Sequence, residues 1–95
     1  MPTMDIASRF AENIVRCRKQ AHLSQEELGV RASLHRTEIS QLERGLRLAR
    51  IDTLVKLAGA LSVSPMELLD GIEWSPGRTT YGEFTVAVAV AAGEG

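Results

Sequence analysis

A single cysteine, Cys17, stands in the 95 residues, and one thiol can close no internal disulfide and supply no cysteine-based metal site. No apolar run is long enough to span a bilayer and no charged-then-apolar signal opens the chain, so a soluble, cytoplasmic protein without membrane attachment is expected. Catalytic signatures are missing too. There is no P-loop, no dinucleotide glycine fingerprint, no paired His and Glu on one helix, and no nucleophile with a recognisable local motif. Neither an enzyme nor a cofactor is expected. His22 and His35 have no cluster of Cys, His or carboxylates beside them at ligand spacing, which argues against a metal. Net charge is also scarce, at -1. Because phosphate neutralisation supplies much of the affinity for DNA, that figure by itself speaks against nucleic acid.

The distribution of charge points the other way. Residues 1–50 hold nine Lys or Arg against six acids, and residues 51–95 hold two against six, for +3 and -4. A chain of this length fits one compact domain with a modest core, and its basic half is where the most specific pattern lies.

Ile6, Phe10, Ile14, Cys17 and Ala21 recur at helical spacing, predicting a first helix from Asp5 to about Gln20. Ser24 and Glu27 form an S-x-x-E capping box, so a second helix starts at Gln25, with Leu28 and Ala32 turned inward. Ser33 and Leu34 supply a tight turn. His35 can cap a third helix, whose Ile39 and Leu42 face inward and which stops at Gly45. Its other side carries Arg36, Thr37, Glu38, Ser40, Gln41 and Arg44, polar side chains able to reach base edges or phosphates.

A basic loop leads to a fourth helix with Ile51, Leu54, Leu57, Ala58 and Leu61 inside. Ser64, Pro65 and Glu67 announce a fifth helix, ending near Asp70 before Gly71. Val63, Met66, Leu68 and Leu69 should complete the core. From Ile72 the character changes. Phe84, Val86, Val88 and Val90 alternate along one face of a strand, which cannot stand alone in water. Three partners are conceivable: Arg78–Tyr81 as a hairpin, the same strand of a second copy, or another protein. A flexible tail is the remaining option.

The strings LSQEEL (Leu23 to Leu28) and ISQLERG (Ile39 to Gly45), within a stretch from Phe10 to Leu69, resemble the helix-turn-helix of the lambda repressor-like proteins, the XRE family. The resemblance implies an all-α, five-helix DNA-binding domain over residues 1–71, followed by a C-terminal β extension over 72–95. It also implies a transcription regulator that binds double-stranded DNA as a two-fold homodimer, entering the major groove of a partly palindromic site. On that footing Gln25, Arg36, Thr37 and Gln41 would read base edges, with Gln25 also bracing a reading residue. Arg18, Ser24, His35, Arg44 and Arg47 would grip phosphates, helped by amides at the helix N-termini. Arg18 would also pair with Glu43, clamping the first helix to the third.

Glu38 could accept from a cytosine, be salt-bridged, or select against wrong sites. Two departures stand out. The family usually has glycine where this chain has His22, a place that tends to need a left-handed backbone, and many relatives have proline and serine where it has Ala49 and Arg50. Two-fold symmetry favours the second copy as the strand's partner, making Phe84, Val86, Val88 and Val90 dimerisation residues. The rival reading is an antitoxin or accessory protein whose valine-rich strand captures a protein partner.

Overall fold

The computed structural model describes residues 4–87, so Val88 and Val90, expected in the strand, lie outside the described residues. Five helices follow one another: α1 Ile6–Gln20, α2 Gln25–Ala32, α3 Arg36–Glu43, α4 Ile51–Leu61 and α5 Pro65–Leu68. Strands β1 Ile72–Ser75 and β2 Glu83–Val86 close the described chain.

Local chemistry sets most of the boundaries. Asp5 caps α1 by accepting the Ser8 amide at 2.8 Å. Ser24 and Glu27 cap each other's backbone at the start of α2, which satisfies two amides that a helix start otherwise leaves without partners. Ser33 ends α2 in the left-handed region at φ 56. His22 does adopt a left-handed backbone, at φ 59.

The core is built from all five helices, with Ile14, Leu28, Ile39, Leu42, Leu57 and Leu68 completely buried. α1 packs on α3 and α5, and α2 on α3 and α4. Three expected core residues are outside it. Ala21 is exposed as the C-cap of α1, Ile51 is 80% exposed and Met66 70%. Helical spacing marks a face but not where the neighbouring helix ends: Ile51 is the first residue of α4, and α5 is a single turn.

α5 stops at Leu68 rather than near Asp70. Its expected capping box is incomplete, because Ser64 Oγ accepts the Met66 amide and the Glu67 carboxylate lies 3.6 Å from Arg16 instead. Gly71, at φ 80, then turns the chain into β1.

β2 finds its partner in β1, not in Arg78–Tyr81. The two run antiparallel with Ile72 opposite Val86 and Trp74 opposite Phe84, whose rings meet edge-on at 5.1 Å. The hairpin rests on α1. Phe84 lines an apolar cavity of about 180 Å³ with Ile6, Phe10, Leu54 and Leu69, so one edge of β2 is paired within the chain while the Phe84 ring stays half exposed. β2 pairs with no further strand among the described residues.

The hairpin's root is held by polar groups that helical spacing does not single out. Asn13, fully buried, donates to the carbonyls of Leu68 and Asp70, each at 2.9 Å. Arg9, also buried, donates to the Asp70 carbonyl and its carboxylate.

Candidate nucleic-acid interface

α3 presents its polar side because its other side is fully committed to the core. Ile39 and Leu42 are completely buried, whereas Arg36, Thr37 and Arg44 are exposed and Ser40 and Gln41 half-buried. Arg36, Thr37, Ser40 and Arg44 border one shallow depression. Among the described residues neither Arg36 nor Arg44 forms an ion pair.

The angle between α2 and α3 depends on a close backbone approach. The Leu34 amide donates to the Gly29 carbonyl at 2.9 Å, and a Cβ on Gly29 would stand 2.7 Å from the Leu34 carbonyl oxygen. Neither capping nor apolar spacing picks out Gly29, although a glycine inside a helix usually has a packing reason.

Behind α3, Glu43 is the hub of a partly buried network. Arg18 forks onto it, with Nε 2.6 Å from Oε2 and Nη2 2.9 Å from Oε1, and Arg18 Nη1 donates to the Leu23 carbonyl. The hydrogen bonds to Glu43 raise the Arg18 pKa above its ordinary value, against a smaller opposing effect of burial. Gln25 Nε2 also donates to Glu43 Oε1, at 3.0 Å. Three of the named residues thus meet at one carboxylate. The geometry makes Arg18 an internal brace between α1 and α3, and Gln25 ties α2 to the same carboxylate.

The helix starts are less open to phosphate than the sequence suggests. Glu27 occupies the Ser24 amide with its carboxylate, and Ser24 Oγ accepts the Glu27 amide, so both polar groups of Ser24 are already engaged with Glu27. His35 Nδ1 accepts the Thr37 amide at 3.0 Å. Nδ1 is therefore unprotonated, and in the neutral ring the proton sits on Nε2 as an outward donor. Arg47 is not free: its Nη2 lies 2.7 Å from Glu38 Oε2. Among the described residues no group of three His, Cys, Asp or Glu gathers as a metal site, and no helix is long and apolar enough to cross a membrane.

Two short helices set by a tight turn, with a polar row on the second, define a helix-turn-helix unit. Residues 14–68 match the Helix-turn-helix family, and the chain belongs to it, as a lambda repressor-like transcription regulator of the XRE kind rather than an enzyme. It is 44% identical over 66 residues to the control protein C.SmaI of Serratia marcescens, covering 70% of this chain and 79% of that protein. To the control protein C.BamHI of Bacillus amyloliquefaciens it is 39% identical over 69 residues, 72% of this chain and 85% of that one. The crystal structure of the restriction-modification controller protein C.AhdI from Aeromonas hydrophila superposes with a TM-score of 0.64 at 34% identity, covering 65% of this chain and 94% of that one.

Proposed function

We propose that the chain is a cytoplasmic, sequence-specific regulator that binds a partly palindromic operator in double-stranded DNA as a homodimer, placing α3 in the major groove. The observation that carries this reading is the polar row on α3, held outward by a buried opposite face and a clamped Glu43. Arg36, Thr37 and Gln41 face the bases, where arginine suits guanine and glutamine suits adenine. His35 and Arg44 hold phosphates. Kinship with the controller proteins makes restriction-modification genes the regulated set to examine first. A homodimer would also withdraw exposed apolar side chains from water, such as Ile51 and Val55 on α4 and Phe84 on the hairpin.

Selection of bound sequences from a random duplex pool tests the whole reading. The expected result is two related half-sites whose centres lie about 34 Å apart; a pool that shows no enrichment refutes it. Within the selected site, Gln41→Ala should cost about 1 to 3 kcal/mol and relax the preference at one base pair. Arg44→Ala should weaken every duplex alike and flatten the salt dependence. Silence of both substitutions in a binding titration would mean that another face meets DNA.

A further inference from the structure

The loop after α3 turns back so that Arg47 reaches Glu38, nine positions earlier, with 2.7 Å between Nη2 and Oε2. This contact makes one of the cations assigned to phosphate already occupied. Glu38 is also the acid on α3 left over once Glu43 is buried against Arg18. We propose that Glu38 sets the DNA affinity by acting through Arg47, as a built-in counterion that competes with phosphate for the same guanidinium. The proposal rests on the DNA-binding reading above.

The competition follows from the chemistry of the two acceptors. Carboxylate and phosphate oxygens both match the guanidinium fork, so N–H groups committed to Glu38 are unavailable to the backbone. Sequence-independent affinity is almost wholly phosphate neutralisation. A regulator that holds one cation back in each protomer clings less to unrelated DNA. The pair is weak enough to be exchanged, because the Arg47 side chain is about half exposed and ion pairs in water contribute little. It is also short and charge-assisted, so phosphate must displace it rather than simply add to it.

A four-protein cycle tests the proposal: wild type, Glu38→Gln, Arg47→Ala and the double variant, each titrated with one unselected duplex across a series of salt concentrations. Glu38→Gln should tighten binding about two- to fivefold and steepen the salt slope by about 0.9 per protomer, the signature of one more phosphate contact. In the Arg47→Ala background the same substitution should change neither. Equal tightening in both backgrounds would overturn the proposal in favour of plain repulsion between Glu38 and DNA. Weaker binding by Glu38→Gln, with preference lost at one C·G pair of the selected site, would overturn it in favour of direct readout by the carboxylate. Wild type that binds no duplex at any salt would remove the DNA-binding reading and this inference together, an outcome distinct from normal binding that ignores Glu38.

Discussion

The Glu43 side chain is 4% exposed and receives donors from two helices other than its own. Replacing it by glutamine keeps the shape but leaves the Arg18 guanidinium, itself 14% exposed, without a countercharge. Removal of one partner from a buried pair costs about 3 to 5 kcal/mol, and urea unfolding of Glu43→Gln should show that loss as a lowered midpoint with an unchanged slope. A loss below about 1 kcal/mol would mean that the pair is solvated. Acid acts on a different group. The Ser24 amide, and secondly its hydroxyl, hold Glu27 below the usual carboxylate range. A carboxylate with a lowered folded pKa contributes stability that is complete above its unfolded pKa and is lost as pH falls through the folded value. NMR titration of the side-chain carboxyl should therefore place Glu27 below ordinary glutamates, and Ser24→Ala should return it partway, since the backbone donor remains.

Among the elements, the α2–α3 junction is the one that tolerates least. Alanine at Gly29 gains about 1 kcal/mol of helix propensity, but its Cβ would sit 2.7 Å from a backbone oxygen that has no freedom to swing aside. Forcing the turn open costs about 1 to 3 kcal/mol, so Gly29→Ala should be destabilising in urea. It should also speed hydrogen exchange at the Leu34 amide, which is bonded to the Gly29 carbonyl. Unchanged exchange there would show that the turn yields elsewhere.

What sequence can and cannot convey also divides at this scale. The Ser24–Glu27 box and the His35 cap are legible because both partners lie within three residues, and the polar row of α3 because one helical period generates it. The contacts of Asn13 and Arg9 join positions 55 and 61 residues apart, beyond any local rule. Glu38 is readable as a polar residue on α3, but its tie to Arg47 depends on how the loop after Gly45 returns. The partner of β2 is hidden for a related reason: alternation announces a strand, while the left-handed turn at Gly71 and the packing on α1 decide what it meets.

For the whole molecule, the charge polarity along the sequence is partly cancelled in space. Arg9 and Arg16 of the basic half pair with Asp70 and Glu67 of the acidic half. Arg18 and Arg47 are taken by Glu43 and Glu38. On α3 that leaves Arg36 and Arg44 facing outward, two cations where the first fifty residues hold nine Lys or Arg. Each neutralised phosphate contributes about 0.9 to the slope of log K against log salt. On an unselected duplex, where Arg36 has no matching base and can turn to phosphate with Arg44, a homodimer using those two cations per protomer should therefore show a slope of about -4. A value near -2 would indicate a single copy binding alone, and one near -16 would require all nine Lys and Arg of the basic half to reach phosphate in both copies. The slope thus counts, in one titration, both the copies on the site and the charges the fold has kept back from it.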